Sequence, residues 1–145
     1  MKSHPAFGIN AFALDGNYNV TSYTKDELRH HLQPLKDNGV MTVAPAIFAL
    51  LDIHAATGNI VPSLYASVAR DIGLGIVTWT FERSEVSLAK GGGFYYSKLA
   101  KALRTESDMI KILDVLYEDI GIKGIFTDWP SMVTFYANCR DIAIR

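Results

Sequence analysis

Four times along the chain, a short and almost wholly apolar run is closed by a turn-forming residue and followed by a helical pattern. The runs are Ile9–Leu14, Val40–Ala44, Gly75–Thr80 and Lys123–Phe126. A strand apolar on both sides needs cover on both faces, which is the situation of a parallel sheet wrapped by helices. The repeat is roughly 30 to 45 residues, the length of a βα unit with one enlarged loop. The fold class read from this pattern is α/β, and four βα units are half of a (β/α)8 TIM barrel. Residues 1–145 form one domain on this reading. No glycine fingerprint for a dinucleotide follows the first run, so a nucleotide-binding sheet has no positive support.

The helices between the runs carry their own punctuation. Thr24 and Glu27 make a T-x-x-E capping pattern, and Leu28, Leu32 and Leu35 follow at helical spacing. Pro34 is expected to kink or shorten that helix, and Asn38-Gly39 to close it. Pro45 is expected to end the second strand. Residues 46–58 read as a helix or a mixed loop. A helix is expected from Pro62, with Leu64, Val68 and Ile72 on one face and Gly73 as its stop. Phe81 to Arg104 is a long irregular connection containing Gly91-Gly92-Gly93, with a short helix after Phe94. Ser107 to about Asp119 is a clear helix, and Pro130 opens the last one.

Charge excludes some functions. With 14 basic and 15 acidic residues the net charge is -1, and no basic run exists that would track a nucleic acid. No stretch is apolar for the roughly 18 residues of a membrane span. The first residues read poorly as a secretory leader. The compartment stays open, and the sequon Asn19-Val20-Thr21 is too common a triplet to decide it. Cys139 is the one cysteine, so no internal disulfide forms.

In βα folds the working groups lie beyond the C-terminal ends of the strands. That rule selects Asp15, Pro45, the stretch Trp79 to Arg83, and Asp128 with Trp129. Asp128 either caps the last helix or faces a ligand. Trp129 either lids a pocket or packs at the rim. Trp79 and Phe81 alternate around Thr80, so one of them is expected in the mouth, where an aromatic wall suits an organic leaving group. Arg83 either holds a phosphate or pairs with Glu82 or Glu85. His30 and His31 are adjacent on a helix and diverge by about 100°, so they do not share a metal. His54 and His4 have no strand end beside them. No zinc pattern occurs, and Cys139 has no base near it in sequence. No residue is assigned as catalytic or as a metal ligand. The substrate-pocket candidates are Trp79, Phe81, Arg83, Asp128 and Trp129.

The segment GLGIVTWTFERS, followed by DVLYEDIGIKGIFTDWPSMVTFYA, resembles the C-terminal half of the glycerophosphodiester phosphodiesterases. The likeness is sharpest over residues 73–83 and 112–137, where Gly121 to Asp128 and Pro130 match the closing unit G-[VI]-x-G-[IL]-F-[TS]-D-x-P. The resemblance implies the second half of a TIM barrel. It implies metal-dependent hydrolysis, with calcium or magnesium, of a small-molecule glycerophosphodiester to glycerol 3-phosphate and an alcohol. It also implies that Trp79 and Phe81 form the aromatic wall beside the substrate, and that Asp128 is the acid after the last strand. The catalytic histidines and the Glu-x-Asp metal ligands belong to the family's first half; no His-Arg pair occurs here, and Glu106 and Asp108, which have the Glu-x-Asp spacing, lie in the wrong context at a helix start with no paired histidine after them. The isolated chain is therefore expected to be inactive, with exposed strand edges open to self-association. Two alternatives stay open: a relative of the phospholipase D-like toxins, and a non-catalytic α/β binding module.

Overall fold

A computed structural model describes residues 12–82 and 91–142. Four strands form one sheet: β1 (Ala13–Asp15), β2 (Thr42–Pro45), β5 (Gly75–Phe81) and β6 (Gly124–Thr127), in that order across the sheet and all parallel. The register runs Ala13 to Val43, Val43 to Ile76, and Val77 to Gly124. Each strand pairs with the previous one of this sheet along the chain, so the order never reverses. The protein is thus a mixed α/β fold on a parallel four-stranded sheet.

Helix α1 (Lys25–Asp37) starts as its sequence dictates. The Thr24 hydroxyl accepts from the Glu27 backbone N–H at 3.3 Å, and the Thr24 N–H donates to the Glu27 carboxylate at 2.7 Å. The helix runs one turn past Pro34, to Asp37. Between β2 and the next helix the chain makes a short helix, α2 (Ile47–Leu50), and an antiparallel hairpin of β3 (Leu51–Ile53) and β4 (Ile60–Pro62). The hairpin replaces the helix or loop expected over 46–58. The Leu51–Ile53 run lacked the alternation that marks a strand. Helix α3 (Leu64–Ile72) is capped by Ser63, whose hydroxyl accepts from the Ala66 N–H at 3.2 Å and donates to the Ala49 carbonyl at 2.6 Å. Pro62 therefore ends β4 and does not open the helix. Gly73 stops α3 in the left-handed region, with φ 79°.

After β5 come α4 (Gly93–Tyr96) and a 3-10 turn, Glu106–Asp108, leading into α5 (Met109–Asp114). A π-helical stretch, Val115–Ile120, continues α5 and ends at Gly121 with φ 72°. Helix α6 (Pro130–Cys139) closes the order.

The core lies on one side of the sheet. Val43 and Ile76 join Leu28 and Leu32 of α1, Tyr65 and Val68 of α3, and Ile112 and Leu116 of the α5 segment. Side chains alternate between the faces of a strand, so Phe12, Leu14 and Phe126 point the other way. They are 40, 69 and 49 % exposed. Neighbouring strands lie about 4.8 Å apart, which puts β1 and β6 roughly 14 Å apart along the sheet. Yet the rings of Phe12 and Phe126 approach to 5.8 Å between centroids. The sheet is therefore curled, concave on the face that carries Phe12, Leu14 and Phe126.

The N-terminus of the α5 segment is pinned by charge. One Asp108 oxygen accepts from the backbone N–H groups of Arg104 and Thr105 at 2.7 and 2.8 Å, and the other meets Lys111 Nζ at 2.7 Å. The Lys111 contact and then the two backbone donors hold the carboxyl well below the usual carboxylate range. A depressed folded pKa adds stability that is present above the unfolded value, about 3.9, and is lost as pH falls toward the folded one. Asp108→Asn should therefore lower stability near neutral pH. It should also flatten the loss of stability below about pH 4, read as urea midpoints across an acid series.

Candidate functional site

The C-terminal ends of the four parallel strands share one rim, and the residues that end them are polar where a carbonyl needs a partner. The Thr78 hydroxyl donates to the Pro45 carbonyl at 3.0 Å, and the Thr127 hydroxyl donates to the Phe81 carbonyl at 2.7 Å. The Trp79 indole N–H donates to the Ala44 carbonyl at 2.8 Å. Backbone carbonyls that lose their ladder partners at a strand end need such donors. Trp79 is thus fixed across the β2–β5 seam, half-buried, with a ladder bridge to Ala46. The Trp79–Thr80 peptide is cis.

The pairing of β5 with β6 is irregular between Thr78 and Phe81, and this irregularity separates the two aromatics of the strand end. Phe81 is 0 % exposed and stacks on Trp129, with centroids 6.1 Å apart and planes 12° from parallel. Of the two, Trp79 is the one that keeps exposed surface. Trp129 is half-buried over Phe81, and its backbone N–H donates to the Thr127 hydroxyl at 2.8 Å. The last helix is not capped by Asp128. Trp129 takes the cap position without a side-chain bond, and the Asp128 carboxylate stays exposed at the rim. Arg83 lies outside the described residues.

The rim carries more aromatic surface than the strand ends alone. Phe94 packs edge-on against Phe48 at 5.3 Å, Tyr18 at 5.5 Å and Tyr95 at 4.9 Å, and Tyr95 meets the Trp79 ring at 6.2 Å. The wall therefore extends from Trp79 over α4 to the loop after β1. The tract Phe94-Tyr95-Tyr96 behind three glycines was its available signal in the sequence. Tyr96 is the buried anchor: its hydroxyl accepts from the Glu82 N–H at 2.7 Å and donates to the Glu82 carbonyl at 3.0 Å. Burial raises the Tyr96 phenol well above its ordinary value. The Glu82 backbone bond works against this, and the Glu82 and Asp128 carboxylates add to it. The phenol is then a neutral clamp between the end of β5 and α4.

Asp15 ends β1 but turns away from the mouth toward the helices. It is nearly buried, and one oxygen accepts from the Tyr65 hydroxyl at 2.7 Å and lies 2.9 Å from His31 Nε2. The Asn17 backbone N–H reaches its other oxygen at 3.1 Å. Burial, with the Asp15 carboxylate beside it, pushes the Tyr65 phenol well above its ordinary value. This cluster ties β1 to α1 and α3, and it is how His31 is used. His54 bonds Thr57 within its own turn, and Cys139 is an exposed free thiol. Among the described residues, no group of three or more His, Cys, Asp or Glu side chains converges to hold a metal ion. No helix among them is long and apolar enough to cross a membrane.

No family model matches the chain. It is similar to an "Extracellular protein" of Arthroderma benhamiae, 45% identical over 110 residues. The match covers 74% of this chain and 44% of that relative, so it spans less than half of the relative's length.

The aromatic wall depends on one glycine. Gly92 has φ 78°, and a Cβ there would sit 2.6 Å from the Tyr96 backbone carbon and oxygen. Gly92→Ala should displace α4, free the Tyr96 clamp and cost about 1–3 kcal/mol. Near-UV circular dichroism and a urea melt would read the two effects together. An unchanged aromatic spectrum would show that α4 does not depend on this turn.

Proposed function

We propose that this chain is the second half of a phosphodiesterase-type (β/α)8 barrel. Its part in the closed molecule is to supply the substrate-side rim for hydrolysis of a glycerophosphodiester. The observation that carries this reading is the closing unit, Gly121 to Pro130, which ends β6 and brings Asp128 and Trp129 to the same rim as Trp79. The unreversed strand order and the curl of the sheet support the barrel part. An open doubly wound sheet reverses its order at the ligand crevice, whereas a barrel adds strands in sequence.

Hydrolysis of a phosphodiester needs charge compensation at the phosphoryl oxygens and a proton for the leaving oxygen. The described residues do not fit the divalent cation that the resemblance implies, because no set of ligands converges. No catalytic step is therefore assigned to them. What they offer is binding. The exposed part of the Trp79 ring and the half-buried Tyr95 beside it can take the apolar part of a leaving alcohol. The carboxylate of Asp128 can accept hydrogen bonds from hydroxyls of the polyol.

In the closed barrel, Trp79→Ala should raise the KM for a glycerophosphodiester and leave metal content unchanged. Its cost in stability should be below the roughly 3–5 kcal/mol of a fully buried aromatic. Release of glycerol 3-phosphate measures the first effect and elemental analysis the second. The 145-residue chain alone should release none. A clean preparation of it that turns over would overturn the assignment of binding without chemistry.

A further inference from the structure

We propose that Asn19 is an N-glycosylation site whose glycan covers the exposed end of the aromatic wall. Asn19-Val20-Thr21 is the single N-x-[ST] triplet in the sequence. Such a triplet arises easily by chance, and its placement in the fold is what gives it weight. The site stands independently of any reaction at the rim.

The triplet lies in a 3-10 turn, Tyr18–Ser22, between β1 and α1. Val20 is 3 % exposed and joins the core, where the turn lies against α2 and α3. The residues on either side of it, Asn19 and Thr21, are exposed. Polar side chains around them hold the turn together. The Asn17 side chain accepts from the Asn19 backbone N–H at 3.1 Å and donates to the Tyr23 hydroxyl at 3.1 Å. The Ser22 hydroxyl donates to the Asn19 carbonyl at 2.8 Å, and Thr24 is engaged in its capping box. Among the described residues, the side chains of Asn19 and Thr21 take no part in this bonding. An acceptor amide and the hydroxyl two residues on are thus presented to solvent by a turn that does not use them.

The co-reactant is an oligosaccharide carried on a lipid diphosphate. A bond forms from Asn19 Nδ2 to the anomeric carbon of the first sugar, and the bond from that carbon to the diphosphate oxygen breaks. The lipid diphosphate leaves, and the amide gives up one N–H proton to the transferring enzyme. The side chain stays neutral. The turn keeps its hydrogen bonds, because those at Asn19 run through its backbone.

Tyr18 directly precedes the site. Its ring packs edge-on against Phe94 at 5.5 Å and lies 5.9 Å from Phe48. Tyr18 and Phe94 are 54 and 53 % exposed, so this end of the wall is an apolar patch on the surface. A bulky, hydrophilic glycan rooted one residue from Tyr18 shields that patch from self-association.

The test is to express the 145-residue chain behind a secretory leader in yeast and to read cell-retained and exported protein alike. A single endoglycosidase-sensitive shift on a gel is expected, with the sugar located on Asn19 by peptide mass spectrometry. Thr21→Ser should keep the shift, and Thr21→Ala and Asn19→Gln should abolish it. Because both side chains are exposed and unbonded, urea melts of these two variants should match that of the unmodified chain made in bacteria. The glycan-free variants should bind more of an apolar-surface dye than the glycosylated parent. That difference should shrink when Tyr18 and Phe94 are both replaced by serine. A chain whose leader has been cleaved but which carries no glycan overturns the site, as does a shift that survives Asn19→Gln. Equal dye binding with and without the glycan overturns the shielding.

Discussion

Parallel strands that follow one another in sheet order impose one constraint on everything else here. Each crossover must leave the C-terminal end of one strand and return to the start of the next, and right-handed crossovers all pass over the same face. The helices of this chain accordingly gather on one side. Leu28 and Leu32 of α1 and Val68 of α3 meet Val43 and Ile76 there. Among the described residues no helix covers the opposite face, and Phe12, Leu14 and Phe126 remain exposed on it. A barrel resolves this by curling the bare face inward until it packs against itself. The 5.8 Å approach of Phe12 to Phe126 brings rings from the two ends of this sheet together on that face.

The same constraint fixes where a ligand can sit. Every strand of the sheet ends on one rim, so residues far apart in sequence are gathered there without contacts designed to draw them together. The donors at those ends come from side chains that would otherwise look misplaced in an apolar strand. Thr78, Trp79 and Thr127 each donate to a carbonyl of a neighbouring strand. They stiffen the rim at its β2–β5 and β5–β6 seams, and Tyr96 fastens α4 to it through Glu82. A wall built this way is pre-organised, which favours binding over adaptation.

Much of this was legible in the sequence because the physics is local. The four apolar runs, the Thr24–Glu27 capping box and the stop at Gly73 depend on residues within a few positions of each other. The hairpin of β3 and β4 was not legible, since Leu51 to Ile53 becomes a strand only by pairing with Ile60 to Pro62. The fates of Trp79 and Phe81 were not legible either. A pairing irregularity sends one to the rim and the other under Trp129, and nothing in TWTF announces it. Asp15 looked like a rim acid, but its place is set by Tyr65, fifty positions on in the chain. The aromatic tract at Phe94 was visible as composition, and only the fold brings it to Trp79 through Tyr95.

The curled sheet can be measured directly in solution. With phenylalanine rings selectively labelled, nuclear Overhauser contacts between Phe12 and Phe126 report on the separation of the first and last strands. The half-barrel account predicts clear ring-to-ring cross-peaks, absent once Phe126 is replaced by alanine. A flat sheet would hold the two strands roughly 14 Å apart and show no such contact, which would contradict the account.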